Sequence, residues 1–173
     1  MGQGKKSEGM KRISLWLLIL TVGLLLSACS TADSADCANL PANGPKIKID
    51  GAWSRAVESG MPASSQMGGT GTSAAYLVIN NCSAEPDTLL IAASDVAEFT
   101  QVHVTEIHDN VTRMTEVQKL DIPAGKKVEL KEGGYHIMMM QLKQNINPGD
   151  PVEITLTFEK AGEIKVTAPA RNP

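Results

Sequence analysis

The chain has 173 residues, of which 20% are charged and only 3% aromatic, and its formal net charge is −3. Its first 28 residues hold four of the 16 basic and one of the 19 acidic residues, so the remainder has 12 basic and 18 acidic side chains and a net charge of −6. An acidic chain without a basic patch argues against nucleic acid as a partner. The length suits one domain with a single hydrophobic core.

Residues 1–28 have the composition of a lipoprotein signal peptide. A basic stretch is followed by an uncharged run of 14 residues, from Ile13 to Leu26. A membrane-spanning helix needs about 20 apolar residues, so the shorter run is typical of a signal peptide. The run ends in the sequence LSAC, which resembles a bacterial lipobox and implies cleavage before Cys29 and diacylglycerol on its sulfur. An ordinary signal peptide with a chance cysteine, or an uncleaved anchor, is the alternative.

Residues 29–45 are small, polar and rich in Pro and Gly, which predicts a flexible tether. If Cys29 carries a lipid, Cys37 and Cys82 remain. An even number of cysteines outside the cytoplasm favours a disulfide between them. Two free thiols, one of them a metal ligand, are the alternative, although the wide spacing argues against a thiolate metal site.

Residues 46–169 form the predicted domain, in which apolar and polar residues alternate in short segments separated by turn signals. Eight or nine short strands of this kind predict an all-β, cupredoxin-like Greek-key sandwich or barrel. The strands are expected in residues 46–54, 74–80, 88–94, 98–108, 111–118, 126–132, 135–142, 151–160 and 163–169. Residues 56–73, rich in Gly and Ser, are expected to form a flexible loop, and residues 170–173 a tail.

The segment YHIMMMQL, residues 135–142, places a histidine beside three consecutive methionines. Successive side chains of a strand point to opposite faces. His136 and Met138 therefore share one face, whereas Ile137 and Met139 belong to the core. Met140 lies on the side of His136 by parity, where it is a possible auxiliary ligand.

A second histidine and methionine lie on the two predicted strands that precede this segment. His103 is separated from Met114 by ten residues, and Met114 from His136 by 21. A tight turn at residues 109–110 would pair the first two strands as a hairpin and bring His103 close to Met114. The two pairs can then converge as two imidazoles and two thioethers.

A donor set of two imidazoles and two thioethers favours one kind of metal ion over others. Thioethers are soft and neutral, and together with neutral imidazoles they suit Cu(I). Zinc prefers thiolate or carboxylate to methionine. Methionine also keeps a soft sulfur donor available outside the cytoplasm, where cysteine thiolates are at risk of oxidation.

The spacing H-x10-M-x21-H-x-M, together with GAWSRA, AAYLVIN, IPAGKKVELKEGGYHIMMMQL and LTFEKAGE, resembles the PCuAC family of periplasmic copper chaperones. The resemblance covers residues 46–169. It implies a cupredoxin-like β-sandwich that binds one Cu(I) through His103, Met114, His136 and Met138. Many members have a methionine two residues after the first histidine, where this chain has Thr105, so that auxiliary ligand is absent.

The resemblance also implies partners and a location. We expect a lipid-anchored monomer, in the periplasm or on the outer face of the cell membrane. It would deliver copper toward the CuA centre in subunit II of cytochrome c oxidase, alongside a Sco-type protein. Copper scavenging or storage, and a cupredoxin electron carrier, are the alternatives.

Met61 and Met67 in the loop, and His108 at the hairpin, are possible auxiliary copper ligands. No catalytic triad or phosphate-binding loop is apparent, so we do not expect an enzyme.

Overall fold

A computed structural model describes residues 34–38, 40, 45–57, 71–108 and 111–172, with His108 described for its backbone only. These residues form strands and no helix, and therefore no helix among them is long and apolar enough to cross a membrane. The strands are β1 (Ile47–Arg55), β2 (Thr72–Asn81), β3 (Asp87–Ala93), β4 (Ala97–His108), β5 (Val111–Glu116), β6 (Leu120–Ile122), β7 (Lys127–Leu130), β8 (Tyr135–Leu142), β9 (Pro151–Phe158) and β10 (Gly162–Arg171).

The strands hydrogen-bond in the order β5-β4-β8-β2-β1-β10-β9-β3-β6, and β7 pairs with β2 beyond the end of β8. All the pairings between neighbours are antiparallel except that of β1 with β10, which is parallel. This parallel contact joins the layer that contains β5, β4, β8 and β2 to the layer that contains β9, β3 and β6. The predicted all-β fold is confirmed.

The core lies between the layers and is built from alternate residues of the central strands. Leu77 and Ile79 of β2, Ile137 and Met139 of β8, and Ile154 of β9 are all 2% exposed or less. Met139 was predicted to face the core, and its complete burial confirms that prediction. The opposite face of β8 is therefore left for His136, Met138 and Met140.

The alternation of β8 is interrupted near its end. Gln141 has a φ of 54°, the only positive φ of a non-glycine residue among those described. Its side chain is exposed, and Leu142 is buried in its place. Met140 keeps the parity of His136 because the interruption comes after it, and it lies half-buried between Thr72 of β2 and Phe99 of β4.

Strand β1 changes register with β2 between Asp50 and Trp53, where Gly51 has a φ of 62°. This left-handed backbone conformation is favourable for glycine and unfavourable for residues with a Cβ. Beyond the irregularity, Ser54 and Arg55 pair with Ala170 and Arg171 of β10. The predicted tail, residues 170–173, is therefore wrong at its start, because β10 continues to Arg171.

Two other predicted boundaries differ from the structure because backbone hydrogen bonds extend the domain. Val57 N donates to Ile146 O at 2.7 Å, and Thr72 and Ser73 belong to β2. The predicted loop 56–73 is therefore wrong at both ends, and its residues 58–70 lie outside the described part. The short strand β6 was not predicted, since the PAG turn beside it dominates the local pattern.

The described part of the predicted tether lies on the domain. Ser34 forms a bridge with Lys126, and the Asp36 carboxylate accepts a 2.9 Å hydrogen bond from Lys48 Nζ. Cys37 and Cys82 are joined by a disulfide with a Cα–Cα distance of 5.6 Å. Residues 34–38 of the predicted flexible tether are thus attached to the ends of β1, β2 and β7.

Candidate metal centre

Strands β5, β4, β8 and β2 are adjacent in that order, which puts the four predicted ligands on three neighbouring strands. His103 of β4 lies directly opposite His136 of β8. Met114 of β5 lies opposite Thr105, one same-face position from His103. Met138 follows His136 by two residues on β8. The register therefore places all four side chains on one face of this layer.

Three of the four predicted ligands line one cavity of about 290 Å³. Met114, His136 and Met138 form part of its wall, so the structure brings side chains of β5 and β8 together across β4. The other residues that line the cavity are Arg55, Thr72, Ser73, Ala74, Tyr76, Thr105, Glu132 and Gly133. Thr105, at the position of the additional methionine in many PCuAC proteins, lies in the same wall.

His103 does not line this cavity but lies beside it. Its ring centroid is 6.0 Å from that of His136, with the two planes inclined at 52°. The strand register places the two rings next to each other on adjacent strands. His103 therefore completes the predicted set from the adjacent strand.

The hydrogen bonds of the two histidines leave one unprotonated nitrogen on each neutral ring. His136 Nδ1 is 3.0 Å from the carbonyl oxygen of Gly134, to which it donates, so Nε2 keeps its lone pair. His103 Nε2 is 3.1 Å from Gln101 Oε1 and donates to that oxygen, so Nδ1 keeps its lone pair. Such a second hydrogen bond fixes the tautomer and orientation of a metal-binding histidine.

His103 Nδ1 is buried and has no hydrogen-bond partner among the described residues. A buried polar atom without a partner is unfavourable, and it is often explained by a ligand or ion that the site takes up. Burial, and secondarily the neighbouring His136, lower the pKa of His103. Glu116 opposes this effect. The net result keeps the ring neutral at neutral pH, the form that binds a metal.

The predicted ligands differ strongly in exposure. His136 is 4% exposed, whereas Met114 is 58% exposed. Every residue of β5 is exposed, and β5 is the edge strand of its layer. One side of the site is therefore embedded in the sheet, and the other is open to an approaching molecule.

The remaining candidates are placed less directly or not at all. Met140 is half-buried on the same face as Met138 but does not line the cavity. The side chain of His108, and all of Met61, Met67 and Cys29, lie outside the described residues.

Sequence reasoning missed the charged pair in the cavity wall. Arg55 Nη2 donates to Glu132 Oε1 at 2.8 Å, and both side chains are partly exposed. The described residues contain no group of three or more His, Cys, Asp or Glu side chains that could hold a metal. Arg55 lies in GAWSRA, one of the segments that resemble the PCuAC family. Its place in that segment was the signal in the sequence that could have pointed to Arg55.

The sequence of the domain matches one family of proteins. The family described as "Putative lipoprotein LpqE-like" matches residues 47–170. The chain belongs to the LpqE-like family. A relative named "Putative lipoprotein Lxx21020", from Leifsonia xyli subsp. xyli (strain CTCB07), is 29% identical over 154 residues, which cover 88% of this chain and 85% of the relative.

Two solved structures have the same fold as this LpqE-like chain. The "Copper-bound PCuAC domain from PmoF2" is 26% identical with a TM-score of 0.59, over 74% of this chain and 94% of that domain. The solution structure of CuI-DR1885 from Deinococcus radiodurans is 28% identical with a TM-score of 0.57, over 76% and 82% of the two chains. The predicted resemblance to PCuAC domains is confirmed.

Proposed function

We propose that this protein is an extracytoplasmic, lipid-anchored Cu(I) chaperone. The observation that carries the proposal is the convergence of Met114, His136 and Met138 on one cavity, with His103 directly opposite His136. All four donors are neutral and two are thioethers, a combination that suits a soft monovalent ion. Similar domains solved with copper, one of them described as the CuI form, support the same ion.

The exposure of the site supports transfer rather than permanent retention of the copper. Met114 lies on the exposed edge strand β5, where an acceptor can approach the ion. A neutral thioether ligand is displaced by a thiolate, since the thiolate adds a negative charge to a cationic centre. We propose the CuA centre in subunit II of cytochrome c oxidase as the acceptor, with a Sco-type protein as a further partner.

A lipid anchor agrees with the lipobox at Cys29 and with the lipoprotein description of the family and of its relative. The same evidence supports a location in the periplasm or on the outer face of the cell membrane. Delivery of a metal ion changes no covalent bond in the cargo, so the protein acts as a carrier and not as an enzyme.

The copper site is tested by anaerobic titration of the protein with Cu(I) in competition with a chromogenic chelator. We expect tight one-to-one binding that is lost in the double variant Met114→Ala/Met138→Ala. Met140→Leu is the matched control, because Met140 lies on the same strand and face but outside the cavity. Tight binding retained by the double variant would reject the assigned ligands.

Delivery is tested separately by mixing the copper-loaded protein with an apo oxidase CuA domain. Transfer of copper supports the chaperone function, whereas retention by the loaded protein favours storage or scavenging. A cupredoxin electron carrier needs a cysteine ligand. The described structure argues against it, since Cys37 and Cys82 are disulfide-bonded and Cys82 follows the end of β2 remote from Met138.

A further inference from the structure

The end of the domain that receives residues 34–38 also carries a concentration of lysines. Lys119, Lys126 and Lys127 are exposed and line one surface depression with Asp121 and Tyr135. None of the three lysines has an ion-pair partner among the described residues. Ser34 bridges Lys126 directly, so the N-terminal segment reaches the domain at the edge of this surface, which we call the lysine surface.

The lysine surface stands out against the charge of the rest of the chain. Residues 119–131 contain four lysines and two acidic residues, a net charge of +2. The rest of the chain after residue 28 has eight basic and 16 acidic residues, a net charge of −8. Four of the 12 basic residues that follow residue 28, a third of them, therefore lie in this 13-residue segment. Such a separation of charge orients a protein in an external field.

The length of the N-terminal segment limits where this surface can lie. Cys29 precedes Ser34 by five residues, and a fully extended chain of five residues spans at most about 17 Å. A lipid on Cys29 would therefore hold Ser34, at the edge of the lysine surface, within about 17 Å of the bilayer. The disulfide between Cys37 and Cys82 limits the lengthening of the tether to the few residues that precede Cys37.

The copper cavity lies toward the other end of the same layer. Strand β2 pairs through Asn80 with Lys127 and through Ala74 with Met138. Asn80 and Ala74 are six positions apart, and a strand rises about 3.3 Å per residue, so about 20 Å separates Lys127 from Met138 along the strands. Tyr135, which also lines the lysine surface, immediately precedes the predicted ligand His136. The three lysines therefore lie toward one end of the layer and Met138 toward the other, with His136 between them.

We propose that the lysine surface is a membrane-docking face that binds anionic lipid headgroups and holds the copper cavity away from the bilayer. The proposal rests on the lipid anchor of the proposed function, because the anchor keeps the lysines close enough to enter the field of the membrane when the domain docks. That field decays over about 8 Å at physiological ionic strength. Each lysine within it favours the docked orientation by about fivefold.

Lysine footprinting of the full lipidated protein tests the proposal. The protein, with the lipid on Cys29 verified by mass, is placed in vesicles of phosphatidylglycerol or of phosphatidylcholine, and the acetylation rate of each lysine is measured. We expect the rates at Lys119, Lys126 and Lys127 to be at least about threefold lower on phosphatidylglycerol, and to recover at high salt. Lys143, which follows β8 at the copper end, is the internal control and should not change.

The triple variant Lys119→Gln/Lys126→Gln/Lys127→Gln provides a second measurement, and its exposed substitutions should leave the fold intact. Lys131 follows β7 and is ion-paired with Glu129, outside the lysine surface, and it serves as the reporter in the variant: any protection that it has on phosphatidylglycerol in the native protein should be lost. Chelator competition on the same vesicles measures copper binding, so a failure of docking and a failure of copper binding are distinguishable.

Several results would overturn the docking face. Equal rates on the two kinds of vesicle would do so, as would protection of Lys143 in place of the three lysines. Protection by inorganic phosphate on phosphatidylcholine vesicles would assign the lysines to a small anion instead. Absence of lipid on Cys29 would remove the anchor on which the proposal rests.

Discussion

Strands β8 and β5 contribute to the same site in opposite ways. Strand β8 lies between β4 and β2, and its predicted ligand His136 is buried and hydrogen-bonded to Gly134 O. Strand β5 lies at the edge of the layer, and its predicted ligand Met114 is mostly exposed. The difference suggests that β8 provides a fixed half of the site and β5 a half that an acceptor can displace.

The largest effect is expected from removing the fixed half of the site. His136→Ala should weaken Cu(I) binding by at least about 100-fold, or about 2.7 kcal/mol. It should also lower the free energy of unfolding by about 2 kcal/mol, because it leaves a void and removes the side-chain hydrogen bond to Gly134 O, which keeps only the one from Thr105 N. Chelator competition and chemical denaturation measure the two effects. An unchanged affinity would show that β8 does not hold the copper.

Replacing Met138 or Met114 should weaken copper binding in both variants but should lower the free energy of unfolding mainly in one of them. Met138→Ala is expected to lower the free energy of unfolding by about 1 kcal/mol, since Met138 is half-buried. Met114→Ala should change it by less than about 0.5 kcal/mol because the side chain is exposed. Both should weaken Cu(I) binding by about tenfold or more. Equal stability losses in the two variants would contradict the contrast between the strands.

A smaller effect is expected when a sulfur ligand is added beside β5. Thr105 lies opposite Met114 and lines the cavity, at the position where many PCuAC proteins have methionine. Thr105→Met should therefore strengthen Cu(I) binding by about threefold to tenfold, with Thr105→Leu as the control for added apolar volume. Equal affinities in the Met and Leu variants would show that this position does not reach the ion.

The pH dependence should report on His103. Its pKa is lowered in the folded protein from 6.5, chiefly by burial. The unfolded chain therefore binds more protons between the two pKa values, and the apo protein should lose stability as the pH falls through and below 6.5. Denaturation curves across this range check the expectation, with His103→Gln as the control that should flatten the profile. A steeper loss in that variant would contradict it.

The sequence alone predicted those features of the fold and of the site that follow from local patterns. Strand parity separated Met139 from its neighbours, and the turn near residues 109–110 correctly paired β4 with β5. Parity could not indicate the positive φ of Gln141, which depends on packing around the end of β8. Nor could it indicate that Arg55 and Glu132, 77 residues apart, meet in the cavity wall.

The attachment of residues 34–38 to the domain could be predicted only in part, because it too depends on contacts between residues far apart in the sequence. Counting cysteines favoured the link between Cys37 and Cys82, but the small polar residues around Cys37 also suit a flexible chain. The bridge between Ser34 and Lys126 depends on β7 pairing with β2, and the contact of Asp36 with Lys48 depends on β1 pairing with β2. Contacts of that range have no local signature in the sequence.

X-ray absorption spectroscopy of the Cu(I)-loaded protein tests the central claim most directly. Two nitrogen and two sulfur neighbours are expected around copper in the native protein. Met114→Ala should lose one sulfur and keep both nitrogens, because the β8 half and His103 remain. A copper environment of nitrogen and oxygen alone, or a sulfur count that Met114→Ala leaves unchanged, would contradict the account.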